Sequence, residues 1–303
     1  MERPDDAARL ERGSEARTDR APAPSLRRWT LDRLRDLELR PSRDLGQNFI
    51  VEERFLDAVV EAAKLAPTDV VLEVGGGLGG LSQRLAPLAA HLHVVELDRR
   101  LAALLARDLE SLGNATVHEA DAVRLPFGDL RPAPTKLVAN LPYGVAATTL
   151  LKAIEELAQA TLLVGMVQLE VAERLAAAPG SRTYGATSVL AQLACEVWLA
   201  RRVPRSVFHP APNVDSAIVV LRRWRPSPSP AVRRVVRGAF AHRRKTLAGS
   251  LALAGVGGPG VRVRARAALA ALGHPRDARA ERLSPEELEQ LAVMLELGVE
   301  PPP

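Results

Sequence analysis

The stretch from Asp69 to Asp98 reads DVVLEVGGGLGGLSQRLAPLAAHLHVVELD, and its pattern decides the fold class. Val70 to Val74 and Leu92 to Glu96 are short, β-branched, largely apolar runs of the kind found in strands covered on both faces. Between them five glycines break the run, and Leu78 to Leu88 carries helical spacing. Strand, glycine turn, helix, strand is a βαβ unit, and such a unit requires neighbouring parallel strands.

The alternation continues outward. Thr116 to Glu119, Lys136 to Asn140 and Leu162 to Gln168 read as further strands, and Asp98 to Leu112, Ala146 to Leu157 and Leu169 to Ala177 as helices. Repetition of this kind predicts a doubly wound α/β sheet with ligands at the carboxyl ends of its strands. A helix over Ala186 to Cys195 precedes Glu196 to Val203 and Ser216 to Leu221, two runs suited to an antiparallel edge. Upstream, Trp29, Leu31, Leu34 and Leu37 predict a helix stopped by Pro41, and Glu52 to Leu65 a second one. Downstream, Pro226, Pro228 and Pro230 form a short linker before helical patterns at Val232 to Ala241, Leu247 to Leu253, Val263 to Leu272 and Pro285 to Leu295. The expected organisation is a disordered tail over 1–24, a sheet domain over 25–222 and a small helical domain over 223–303.

Composition narrows the class. The chain has 303 residues, 47% hydrophobic and 25% charged, which suits a packed core and excludes a mainly disordered protein. No run approaches the about 18 apolar residues of a membrane span, and the charged N-terminus lacks the apolar core of a secretory signal. The single Cys195 excludes an internal disulfide or a cysteine-rich metal site, and the histidines lack metal-ligand spacing. A cytoplasmic, metal-free, monomeric protein is expected. Of 41 basic residues, fifteen lie between Arg222 and Arg282, where only Asp277 and Glu281 oppose them. The segment is therefore +13 in a chain that is +5 overall, a footprint suited to phosphate. A solvated arginine-rich helical face is the plainer alternative.

Candidate site residues cluster at predicted strand ends. Glycine lets a backbone turn tightly and approach a ligand, and Gly75, Gly77 and Gly80 satisfy G-x-G-x-x-G. The pattern alone fits a dinucleotide enzyme, a methyltransferase or a plain tight turn. Glu96, twenty-one positions after Gly75, is placed to accept both hydroxyls of a ribose, so the pair implies a nucleoside-containing cofactor. Asp121 ends the next strand, where a carboxylate suits an adenine amino group. Asn140-Leu141-Pro142-Tyr143 ends the strand after that. Pro142 forces Leu141 into an extended conformation and aims its carbonyl, Asn140 offers an amide oxygen, and Tyr143 offers an aromatic face. These parts suit an aromatic amine: two acceptors gripping its hydrogens favour a pyramidal nitrogen aimed at an electrophilic methyl group.

Taken in chain order, LGQNF at 45–49, EVGGGLGGLS at 73–82, VELD at 95–98, DAV at 121–123, NLPY at 140–143, VPRSVFHPAPNVDSAIV at 203–219 and AFAHRRKTL at 239–247 resemble the ribosomal RNA adenine N6-dimethyltransferases. The resemblance covers about Leu31 to Leu295. It implies a Rossmann-like, S-adenosylmethionine (SAM) dependent methyltransferase domain, a helical C-terminal domain, and an rRNA substrate, the small-subunit branch being the more similar. It further implies Asn48 and the backbone of Ile50 near the methionine part of SAM, Gly75 in its glycine loop, Glu96 on its ribose, Asp121 at its adenine, and Asn140 between cofactor and target. Tyr143 would stack on the target base with Phe208 on the other face, and Arg243, Arg244 and Lys245, expected within a helix, would meet RNA.

Two departures stand out. Gly76 replaces a common proline, which should only soften the loop, and Gly144-Val145-Ala146-Ala147 replaces the usual Asn-Ile-Ser-Thr, removing polar groups behind the target pocket. The competing readings are a large-subunit resistance methylase and a ribosome-assembly or RNA-binding factor with weak catalysis. A Rossmann dehydrogenase has only the glycine pattern in its favour.

Overall fold

The computed structural model describes residues 24–42 and 46–297; the tail expected over 1–24 lies outside them apart from Pro24. Helix α1 (Leu26–Asp36) precedes a two-residue strand β1 (Phe49–Ile50) and helix α2 (Glu53–Ala63). The sheet then builds in alternation: β2 (Val70–Val74), α3 (Ser82–Leu85), β3 (His91–Glu96), α4 (Arg99–Leu109), β4 (Ala115–Glu119), β5 (Lys136–Asn140), α5 (Ala146–Glu156) and β6 (Leu162–Gln168). Helices α6 (Leu169–Leu175) and α7 (Ala186–Gln192) lead to β7 (Cys195–Val203), β8 (Phe208–His209) and β9 (Ser216–Arg223). Four helices close the chain: α8 (Pro230–Phe240), α9 (Leu247–Leu253), α10 (Val261–Ala271) and α11 (Pro285–Leu297).

The seven-stranded sheet runs β4-β3-β2-β5-β6-β9-β7. Strands β4, β3, β2, β5 and β6 are parallel, while β9 runs antiparallel to both β6 and β7. Strand order reverses between β2 and β5, so the crevice for a ligand opens at their carboxyl ends. Strand β2 shows why the apolar runs exist. All five of its residues are buried, Val71 facing the core under α2 and α3 and Leu72 the opposite core under α5. A third core joins Tyr184, Val189 and Leu190 to the faces of α8–α11, so the last helices pack on the segment around α7.

Several boundaries differ from expectation. Helix α1 ends at Asp36, well before Pro41, because Glu38 takes a left-handed turn at φ +48° and returns the Leu39 N–H to the Leu34 carbonyl. The helix expected from Leu78 shrinks to Ser82–Leu85 plus a 3₁₀ turn over Ala86–Leu88. Gly75, Gly77 and Gly79 hold φ of +80°, +58° and +87°, which keeps the preceding backbone out of the helix. Cys195 is buried as expected, but it starts β7 and does not lie on a helix. The segment from Ala241 to Lys245 is a turn between α8 and α9, so the basic cluster does not interrupt a helix.

Among the described residues, no helix is long and apolar enough to cross a membrane, and no group of three or more potential ligands is placed to hold a metal ion. His93 instead bonds His118 at 3.1 Å and the Pro132 carbonyl at 2.9 Å.

Candidate active site

A cavity of about 660 Å³ opens at the β2/β5 switch point. Asn48, Gly75, Glu96, Asp121, Asn140 and Tyr143 all line it, so residues spread over nearly a hundred positions meet there. Two loops make its floor. The Gly75 N–H donates to the Val95 carbonyl at 2.8 Å, tying the glycine turn to β3. A β-carbon on Gly75 would stand 3.2 Å from Pro142 Cδ, so the glycine turn and the segment after β5 pack directly on each other. Because α3 is only four residues long, the turn offers backbone N–H groups more than a helix dipole.

Glu96 organises this floor. Its Oε2 accepts from the Gly77 N–H and its Oε1 from the Asp98 N–H, both at 2.9 Å. Each carboxylate oxygen keeps a further lone pair for a ligand hydroxyl. Burial pushes its carboxyl up, against the pull of the Asp98, Gly77 and Leu97 backbone N–H groups. Glu73, which the motif reading did not single out, sits below. It is 1% exposed, and burial, with Glu96 adding to it, raises its carboxyl from 4.5 to about 8 although Ser82 Oγ donates to it at 2.6 Å. Its signal was an acid inside an apolar strand, where charge is costly.

On the other wall, the Asn140 amide nitrogen donates to the Asn48 carbonyl at 3.2 Å. A carbonyl can only accept, so the amide oxygen is turned the other way. The Leu141 N–H bonds the Met166 carbonyl at 3.0 Å, and the leucine side chain is buried in the core. Tyr143 is half-buried, with its hydroxyl 2.6 Å from Ser216 Oγ. Burial, together with the nearby Asp215, raises that phenol, so it stays protonated. Asp121 turns one oxygen to the Val123 N–H at 2.9 Å and the other towards Arg124 at 3.5 Å. Ile50 lines the cavity from β1.

Phe208 is not on this wall. Its strand β8 pairs with β1, Ile50 opposite Phe208, which turns the ring into the core at 3% exposure. The cavity wall nearby is formed by Pro210 to Val214. The basic cluster also divides. Arg243 donates to the carbonyls of Arg182 and Tyr184, both at 3.0 Å, and so braces the last helices against the loop before α7. Arg244 and Lys245 are exposed, and no ion pair to either is seen among the described residues.

A sequence model of the ribosomal RNA adenine dimethylases matches residues 39–261. The chain belongs to that family. It is 45% identical over 254 residues to a ribosomal RNA small subunit methyltransferase A from Rubrobacter xylanophilus, covering 83% of this chain and 94% of that one. The protein of the same name from Thermobifida fusca is 41% identical over 266 residues, covering 84% and 91%. Among solved structures, a dimethyladenosine transferase from Plasmodium falciparum superposes with a TM-score of 0.66 at 24% identity, covering 84% of this chain and 99% of that one. The 23S rRNA methyltransferase ErmE gives 0.61 at 27%, covering 82% and 100%. The fold is thus the Rossmann-like methyltransferase sheet with a smaller helical C-terminal part, and the chain is an rRNA methyltransferase.

Both departures from the dimethylase pattern have a structural expression. A β-carbon on Gly76 would fall 2.4 Å from Val94 Cγ1 and 2.8 Å from Leu105 Cδ1. The space beside Gly76 is occupied by the Val94 and Leu105 side chains, which would have to shift for any larger residue there. At the second departure, α5 starts at Ala146 with Val145 as its N-cap and no side-chain cap bond.

Proposed function

We propose that the cavity binds SAM beside a target adenine of small-subunit (16S) rRNA, and that the chain converts adenines there to N6,N6-dimethyladenine as part of small-subunit maturation. One observation carries the reading: Gly75 and Pro142 line the same cavity, close enough that a β-carbon on the glycine would stand 3.2 Å from the proline, so the cofactor-type loop and the amine-type segment share one site. The residues suit SAM on their chemistry. Glu96 keeps acceptor capacity for a ribose, Asp121 stands at the cavity edge for an adenine amino group, and Asn48 and Ile50 close the end assigned to methionine. When bound, SAM supplies a methyl group carried on a sulfonium sulfur.

The chain's own contribution is orientation. In the first transfer the Asn140 amide oxygen and the Leu141 carbonyl accept from the two N6 hydrogens, and in the second, one of them accepts from the single hydrogen left, localising the nitrogen lone pair towards the methyl group. Tyr143 stacks on the base, which is splayed out of its RNA helix. The proton lost from N6 at each transfer passes to solvent. Residues 25–222 carry this chemistry in our reading, and 223–303 meet rRNA.

Identity separates the substrates. The relatives cited above that are named for the small subunit stand at 41–45%, whereas ErmE, named for 23S rRNA, stands at 27%. The deciding experiment incubates the protein with labelled SAM and unmethylated small or large ribosomal subunits, then maps the methylated nucleosides. Dimethyladenine in the small-subunit RNA is expected. Label in the large subunit alone would reverse the substrate, and SAM binding without transfer would leave an assembly factor.

A further inference from the structure

We propose that Ser216 is a positioning residue for methyl transfer, acting only through Tyr143; the inference rests on the site reading above. Tyr143 lies in the turn between β5 and α5, where regular pairing has ended and no ladder bond fixes its backbone. Its ring must nevertheless present one face to a base. The hydroxyl at the far end of that ring reaches Ser216 Oγ at 2.6 Å.

Ser216 is suited to hold it. It opens β9, a strand flanked on both sides, with Gln168 of β6 and Val203 of β7 opposite Ser216 in register. Asp215, immediately before it, is tied down as well: its carbonyl accepts from the Leu169 N–H at 3.0 Å and its carboxylate from the Arg205 N–H at 2.9 Å. The serine side chain is fully buried, and Tyr143 is its sole hydrogen-bond partner in the described residues. A buried hydroxyl is stabilised by having a partner, so the two groups hold each other. The phenol is thereby tied to a strand paired on both sides, and the ring cannot swing about its Cα–Cβ bond without leaving a buried hydroxyl unpaired. The pocket after β5 is thus preorganised from a strand 73 positions away.

Single-turnover methylation of unmethylated small subunits tests this with the full chain. Ser216→Ala and Tyr143→Phe each break the bond while keeping the ring, and each should slow transfer about tenfold, the size of one neutral hydrogen bond. SAM affinity should not change. Combining them should cost no more than either alone, because both remove the same interaction. Ser216→Thr, which retains the hydroxyl, should recover most of the rate. Additive losses, or a fall in SAM affinity that tracks a lower melting temperature, would make Ser216 a structural residue and overturn the proposal. If Ser216→Ala does not fold, Tyr143→Phe decides alone, and a wild-type rate there overturns it. Tyr143→Ala separates the two levels: a wild-type rate removes Tyr143 from the site altogether, whereas a large loss beside an active Tyr143→Phe defeats the Ser216 proposal only.

Discussion

Gly75 lies so near Pro142 that an added β-carbon would stand 3.2 Å from the proline Cδ, tighter than ordinary contact, at a backbone φ of +80°. The left-handed conformation alone costs about 1–2 kcal/mol for any other residue. Gly75→Ala should therefore melt a few degrees lower, and by pushing Pro142 it should slow single-turnover methylation about a hundredfold. A folded variant with a wild-type rate would show that the contact does not set the geometry of transfer.

Glu96 binds two backbone N–H groups and is proposed to bind ribose as well. Glu96→Ala removes charge-assisted bonds and should cost about 1.5–3 kcal/mol in SAM affinity, measured by titration calorimetry. Unchanged affinity in a folded variant would take Glu96 out of the cofactor site.

Asn140→Ala removes an oriented acceptor. Methylation in a single turnover should fall by about 10² or more, with a much smaller change in subunit affinity. Near wild-type turnover would reject the proposed grip on the amine.

Glu73 gives stability a pH signature. Its carboxyl is raised from 4.5 to about 8 in the fold, so between those values the folded chain holds a proton that the unfolded chain has lost. Stability from this group is intact below about pH 4.5, declines as pH rises, and levels off above about 8. Glu73→Gln cannot ionise, so its melting temperature should gain on wild type progressively from pH 5 to 8. A difference independent of pH would show that Glu73 titrates as an ordinary surface carboxylate does.

The basic turn should split by residue. Arg244→Ala with Lys245→Ala should weaken subunit binding and lower the slope of log affinity against log salt by about two, leaving SAM affinity intact. Arg243→Ala should instead lower the melting temperature, by about 2–4 °C per kcal/mol lost, because its guanidinium holds the Arg182 and Tyr184 carbonyls. The reverse pattern would exchange their roles.

The sheet was legible because parallel strands buried on both faces leave continuous apolar runs, and Val70–Val74 is such a run. Glu96 and Asn140 were legible for a related reason: each is a polar residue ending a run, which in a doubly wound sheet means the ligand edge. What escaped depends on contacts distant in sequence. Strands β1 and β8 have two residues each, too short for any periodicity, and only their pairing shows that Phe208 faces inward. Ser216 reads as an ordinary strand residue until Tyr143 is placed beside it. Arg243 looks like its neighbours in a basic run, and the carbonyls that occupy it belong to the loop before α7.

Helix α5 is held at both ends. It begins three residues after Tyr143 and, at eleven residues, spans about 16 Å. At its far end the Arg223 guanidinium group holds the carbonyls of Ile154, Leu157 and Ala160, and Glu155 pairs with Arg233 and Arg237 of α8. The helix is therefore a strut with one foot on the wall of the cavity and the other on the helical unit. One continuous helix thus links the turn that carries Tyr143 to the ion pairs with α8, while Arg223 of β9 keeps its far end on the sheet.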